Sequence, residues 1–102
     1  MALKKQYVKS KQLFKVTFSI PKEAVGNARK VAIAGDFNDW ITDVDFMKKQ
    51  KDGSFSISLY LESGKTYQFR YLIDNTRWEN DWEADGYIPH AYGDGDNSLL
   101  IL

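Results

Sequence analysis

The stretch Tyr67-Gln68-Phe69-Arg70-Tyr71-Leu72-Ile73-Asp74 decides how this chain folds. Tyr67, Phe69, Tyr71 and Ile73 fall on every second position, with Gln68, Arg70 and Leu72 between them. A period of two belongs to a strand, whose successive side chains leave opposite faces of a sheet. Arg70 is therefore expected off the face that carries Phe69 and Tyr71. Upstream, past the turn pair Ser63-Gly64, Phe55, Ile57, Leu59 and Leu61 alternate with serines and Tyr60. The turn at Asp52-Gly53 joins that run to Phe46-Met47-Lys48-Lys49 as a predicted hairpin.

The same alternation opens the chain. Phe14, Val16, Phe18 and Ile20 interleave with Lys15, Thr17 and Ser19 until Pro21 ends the run. After a loop over Lys22 to Lys30, with its Gly26-Asn27 turn pair, Val31 and Ile33 between alanines predict a short strand, and Gly35 to Trp40 a loop. Downstream, Trp78 begins a short strand, Asn80 to Asn97 reads as polar and irregular, and Leu99-Leu100-Ile101-Leu102 reads as a buried strand. No segment offers several turns of helical periodicity. The chain thus predicts an all-β, immunoglobulin-like sandwich of about seven short strands. It lacks the paired cysteines of antibody domains. A single domain is expected over residues 13–102, preceded by a basic N-terminal arm over 1–12 whose composition fits either an edge strand or a frayed tail.

Composition narrows the chemistry. A chain of 102 residues is one domain's worth and too short for a (β/α)₈ barrel. The absence of cysteine excludes thiol catalysis, disulfides and thiolate metal sites, and the one histidine, His90, leaves imidazole metal centres without ligands. With no long apolar window, a cytoplasmic protein without membrane contact is expected. The net charge of zero hides an asymmetry: Met1 to Lys51 carries eleven basic and five acidic residues, and Asp52 to Leu102 carries three and nine. Nucleic-acid binding through the basic half is not expected. Its lysines alternate along a wet strand face, and Trp78 and Trp82 lie in the acidic half rather than among Lys and Arg.

Catalytic and metal motifs do not assemble either. The carboxylates sit mostly in turns, where Asp bonds to its own backbone, and no Ser stands in a Gly-x-Ser-x-Gly elbow. Gly93-Asp94-Gly95-Asp96 has no lysine for phosphate. Asp81 to Ile88 imitates the first half of a calcium loop, but Tyr92 stands where a bidentate Glu is required. No catalytic residue, cofactor or metal is therefore predicted. What stands out is the set of tryptophans in loops rich in Asn and Asp: Trp40, Trp78 and Trp82. A flat indole suits the C–H face of a pyranose, and amides, carboxylates and guanidinium suit its hydroxyl rim.

These residues carry a family resemblance. Val31-Ala32-Ile33-Ala34-Gly35-Asp36-Phe37-Asn38-Asp39-Trp40, then Asp52-Gly53-Ser54-Phe55, then Tyr67 to Asp74, then Trp78-Glu79-Asn80-Asp81-Trp82 and Asn97-Ser98-Leu99-Leu100 together resemble carbohydrate-binding module family 48. That family is the early-set, starch- and glycogen-binding domain at the front of isoamylases and branching enzymes and in the β subunit of AMP-activated protein kinase. The resemblance implies a non-catalytic module for α-1,4-glucan in which Trp40 and Trp78 are stacking platforms and Arg70 and Asn97 bond to sugar hydroxyls. Asn38, Asp74 and Trp82, in the same motifs, are further carbohydrate-binding candidates. The kinase module's leucine finger and neighbouring threonine fall at Gly93-Asp94-Gly95, which implies a site without that clamp. The turn Asn75-Thr76-Arg77 is one residue longer than the kinase pattern. A stand-alone targeting or regulatory module is expected, with a glycogen-metabolising enzyme or kinase as partner in trans. The alternative is a protein-interaction or regulatory subunit on the same fold with little sugar binding.

Overall fold

Antiparallel pairing converts the sequence alternation into two stacked sheets. The computed structural model describes residues 3–90 and 95–102, which form nine strands: β1 (Leu3–Val8), β2 (Leu13–Ile20), β3 (Val31–Gly35), β4 (Lys48–Lys49), β5 (Phe55–Glu62), β6 (Thr66–Ile73), β7 (Arg77–Glu79), β8 (Gly86–Pro89) and β9 (Asp96–Ile101). A single helical turn, α1 (Lys22–Val25), follows β2. One sheet has the order β1-β2-β5-β4; the other has β3-β6-β9-β8, with β7 paired to β6 beyond the end of β9. The protein is an immunoglobulin-like β-sandwich.

The inner faces are those the period of two selects. Val16, Phe18 and Ile20 from β2, and Phe55 and Leu61 from β5, are buried with Val31, Ile33, Phe69, Tyr71, Ile73 and Leu100 of the other sheet. Phe18 meets Phe69 edge-on across the sandwich with ring centroids 5.1 Å apart, and Phe69 meets Tyr71 edge-on at 5.7 Å. Such contacts favour the edge-to-face geometry of opposed ring quadrupoles.

Of the two readings of the N-terminal segment the edge strand is the one found: Leu3–Val8 pairs in register with β2 from Leu3↔Phe18 to Val8↔Leu13. Three local features differ from the sequence expectation. β8 lies inside the stretch expected to be irregular; its four residues, Gly86-Tyr87-Ile88-Pro89, are mostly exposed and pair with β9 alone. The C-terminal segment is not wholly buried. β9 buries Asn97, Ser98 and Leu100 and leaves Ile101 half exposed; the strand starts earlier than expected, at Asp96 opposite Pro89 of β8, and pairs with β6 from Ser98 on. Finally, the expected hairpin forms around the turn at Asp52-Gly53, with Lys48 and Lys49 opposite Ser56 and Phe55, but its first strand is shortened because Phe46 and Met47 lie along β3 instead. Ile33 N donates to Asp45 O at 3.0 Å and Met47 N to Val31 O at 2.8 Å, before Lys48 and Lys49 pair with β5.

The two charge populations meet at the edge of the sandwich. Lys5 Nζ of β1 binds Asp85 Oδ2 at 2.6 Å and Ile101 O at 3.1 Å, while the same Asp85 oxygen accepts Ile101 N at 2.7 Å. Part of the charge asymmetry is thus an ion pair between sheets. No helix among the described residues is long and apolar enough to cross a membrane.

Candidate functional site

The outer face of the β3-β6-β9-β8 sheet carries three of the candidate residues, Arg70, Trp78 and Asn97. Arg70 stands between the core residues Phe69 and Tyr71 and therefore points outward, as the strand period requires. Trp78 lies opposite Leu72 in the β6–β7 register, which puts it on the same face. Arg70, Trp78, Glu79, Asn80, Gly95 and Asp96 line an open cleft of about 200 Å³. Trp78 remains 40% exposed, whereas Arg70 is only 6% exposed. The guanidinium is anchored: Arg70 Nε donates to Asp96 O at 2.9 Å, and Asn80 Nδ2 donates to the same carbonyl at 2.9 Å. Gly95, at φ 103°, lets the chain turn close over Arg70; a Cβ there would lie 3.6 Å from Nη2.

Two further candidates adjoin the same strand. Asn97 shares the outer face, since its neighbour Ser98 lies opposite Phe69 and faces the core. Its Nδ2 donates to Gln68 Oε1 at 3.0 Å, and its buried Oδ1 has no hydrogen-bond partner among the described residues. Trp40 reaches β6 by another route. Its Nε1 donates to Asp36 Oδ1 at 3.0 Å, and Asp36 Oδ2 accepts the Gln68 backbone N–H at 2.8 Å. Asp39 and Trp40 both have left-handed backbone, at φ 55° and 59°. That conformation is an outlier for a residue as bulky as tryptophan.

Of the candidates only Arg70 and Trp78 line the cleft itself; Trp40 and Asn97 flank it along β6, and the remaining three are engaged elsewhere. Asn38 is committed to its own loop: Oδ1 accepts Gly35 N at 3.0 Å, and Nδ2 donates to Ile33 O at 3.0 Å and Asp45 Oδ2 at 2.8 Å. Asp74 Oδ1 accepts the backbone N–H groups of Arg29 and Lys30, each at 2.9 Å, and so ties the turn after β6 to the loop before β3. Trp82 is 54% exposed, donates Nε1 to Glu79 Oε1 at 3.0 Å and does not line the cleft. Gly93 and Asp94, where the family's clamp would fall, and Tyr92 lie outside the described residues.

Sequence reasoning missed Gln68, Asp36, Asn80 and Asp96 as parts of this face. Gln68 was detectable, because it shares the parity of Arg70. Asp96 left no signal, since its contribution is a backbone carbonyl that any residue supplies.

The calcium-like segment is structural instead. Asp81 is 1% exposed; its Oδ2 accepts the Tyr71 hydroxyl at 2.6 Å and its Oδ1 accepts Glu83 N at 2.8 Å. Among the described residues no cluster of three or more His, Asp or Glu could hold a metal. Burial raises the Asp81 carboxyl above its ordinary value of about 3.8, opposed by hydrogen bonds from Tyr71 and Glu83 that favour the charged form. A raised folded pKa makes this group's contribution to stability full below about 3.8 and lost as pH rises through the folded value. Tyr71 in turn holds its proton well above the usual phenol range, through burial and then the neighbouring Asp81. Tyr71→Phe leaves the buried carboxylate short of one donor. The variant is expected to lose about 2 kcal/mol near neutral pH. Removing that donor raises the Asp81 pKa further, so the deficit should shrink as pH falls and the carboxyl takes its proton. Urea melts of both proteins across pH check this; a deficit that stays constant with pH would contradict it.

A two-sheet sandwich whose outer face gathers an exposed indole, a clamped guanidinium and amides has the make-up of a carbohydrate-binding module. Residues 23–99 match the family described as the glycogen recognition site of AMP-activated protein kinase, and the chain belongs to that family. Among characterised proteins it is similar to Protein PTST homolog 2, chloroplastic, of Arabidopsis thaliana, with 35% identity over 77 residues. That similarity covers 74% of this chain and 13% of the relative.

Proposed function

We propose that this protein binds α-1,4-glucan on the outer face of β6, β7 and β9, with Trp78 and Trp40 stacking on glucose rings and Arg70 and Asn97 bonding to hydroxyls. The observation that carries this reading is the meeting of an exposed indole with a nearly buried, anchored arginine in one open cleft. Two others support it. A buried amide oxygen without a partner among the described residues is rare in native proteins, and a sugar hydroxyl would satisfy Asn97 Oδ1. Backbone outliers such as Trp40 gather at ligand sites, where the surrounding fold over-determines them. Asn38 and Asp74 act as scaffold for the two loops.

The role is non-catalytic. Glycoside hydrolysis needs two carboxyl groups facing each other across the scissile bond. Glu79, on the cleft wall, is engaged by the Trp82 indole at 3.0 Å and by Arg77 Nη1 at 3.5 Å. In this reading the protein tethers a partner, a glycogen-metabolising enzyme or kinase, to polymer. Stacking contributes about 1 kcal/mol per aromatic, so two platforms and a few wet hydrogen bonds give binding in the micromolar to millimolar range.

Native gels cast with glycogen or amylose test the proposal. The wild type is expected to be retarded in proportion to polymer concentration, and free maltoheptaose should relieve the retardation. Unchanged migration up to concentrated polysaccharide would overturn the reading in favour of a protein-interaction role on the same fold.

A further inference from the structure

A line of polar contacts runs from the cleft arginine around the sheet and back to the core face of the same strand. Arg70 Nε and Asn80 Nδ2 converge on the Asp96 carbonyl, each at 2.9 Å. Asn80 Oδ1 accepts the Ser98 hydroxyl at 2.8 Å, and Ser98 Oγ accepts Asp81 N at 2.9 Å. The Asp81 carboxylate is held by Tyr71, the residue next to Arg70 in β6. Tyr71, Asp81 and Ser98 are all 1% exposed or less, so this end of the line is rigid and dry.

We infer that Asn80, fixed by Ser98, is a positioning residue for Arg70, an assignment that rests on the glucan-binding reading for its functional meaning. The physical argument is one of entropy and direction. An arginine side chain has many rotamers, and holding one of them is costly. A carbonyl that accepts two N–H donors has both lone pairs occupied and cannot rotate to follow either one. Asn80 thereby fixes the oxygen that fixes the plane of the guanidinium, and Ser98 fixes the amide so that its NH₂ rather than its oxygen faces Asp96. The buried Tyr71–Asp81 pair anchors the far end. β7 and β9 do not pair with each other as strands, so side chains from Asn80 and Ser98 supply the link between them. The sequence shows none of this, because Asn80 lies in a stretch without periodicity.

The test combines two readouts on the full chain. The first is solvent exchange of the Arg70 Nε–H, followed by nitrogen-15 NMR, which needs no ligand. In Asn80→Ala it should quicken by roughly three- to ten-fold, the equivalent of one net hydrogen bond, while amide exchange in β2 and β5 stays at the wild-type rate. The second is a double-mutant cycle with maltoheptaose. Asn80→Ala should weaken binding by roughly three- to ten-fold in the wild-type background and less than about two-fold in Arg70→Ala, because a residue that acts through Arg70 has nothing left to act on. Arg70→Lys, which keeps the charge but not the Nε donor, replaces Arg70→Ala in the cycle if the latter unfolds. Unchanged Nε–H exchange, or the same loss of affinity in both backgrounds, would overturn the inference. If the wild type does not bind maltoheptaose, the glucan reading fails on its own, and the exchange rate still decides whether Asn80 positions Arg70.

Discussion

Trp78→Ala is expected to remove retardation on glycogen gels while leaving the fold intact. Trp78 sits on the short strand β7, which makes three register pairs with β6, and the residue is 40% exposed. The side chain therefore contributes little to the core, and a melting temperature within a few degrees of wild type is expected. Its contribution to binding is different in kind. Removing a stacking platform forfeits about 1 kcal/mol, roughly five-fold in affinity. Starting from weak binding, a loss of that size takes the protein below detection on a gel. Trp82→Ala removes an indole that is more exposed but lies outside the cleft, and it should migrate like wild type. Equal losses from the two substitutions would mean that the aromatic surface as a whole, rather than the cleft, holds the polymer.

Gly35→Ala is expected to be the most damaging glycine-to-alanine change among the described residues. Its backbone is extended, with φ near −173°, so conformational strain is not the reason. The reason is proximity: a Cβ at this position would lie 2.4 Å from Gln68 O, 2.7 Å from Phe69 Cβ and 3.0 Å from Phe69 Cα. None of those atoms is the end of a flexible side chain. Phe69 is fully buried against Phe18 and Tyr71, and the Gln68 carbonyl belongs to a strand paired on both sides. Relief therefore requires β3 to peel from β6 at its last residue. Overpacking of this kind costs about 3 kcal/mol, which for a domain of this size lowers the melting temperature by more than about 10 °C. The site should suffer as well, since Gly35 O accepts Trp40 N at 2.9 Å and Gly35 N is held by Asn38. Gly64→Ala provides the comparison. That glycine has φ 76° but open space around it, so only backbone strain of about 1 kcal/mol is incurred. Calorimetry that ranks Gly64→Ala as the worse variant would contradict the packing argument.

These two expectations mark how far the residues alone could be read. Strand period put Phe69 and Tyr71 in the core and Arg70 outside it, and the structure agrees, because a side-chain period of two leaves no third option. Trp78 stood out in the sequence through the family motif, and the register opposite Leu72 puts it on the face of Arg70. Asn38 and Asp74 show the limit. Both stand in motif positions next to tryptophan or strand ends, yet Asn38 commits its polar atoms to its own loop and the end of β3, and Asp74 binds the backbone of a loop far along the chain, which the motif alone does not report. β8 escaped detection for a related reason: an exposed edge strand needs no apolar alternation. The pairing of Asn80 with Asp96 depends on how the segment after β7 meets the start of β9 once the sheet has formed. It is a property of tertiary structure alone.

The central claim, that α-glucan is bound in the cleft formed by β6, β7 and β9, is tested most directly by a nitrogen-15 NMR titration with maltoheptaose. The indole N–H signals of Trp78 and Trp40 and the side-chain amide of Asn97 should move together and saturate with one dissociation constant, while the Trp82 indole stays in place. Saturable shifts at Trp82 or along β1 and β8 with an unmoved Trp78, or no shifts at any concentration of sugar, would contradict it.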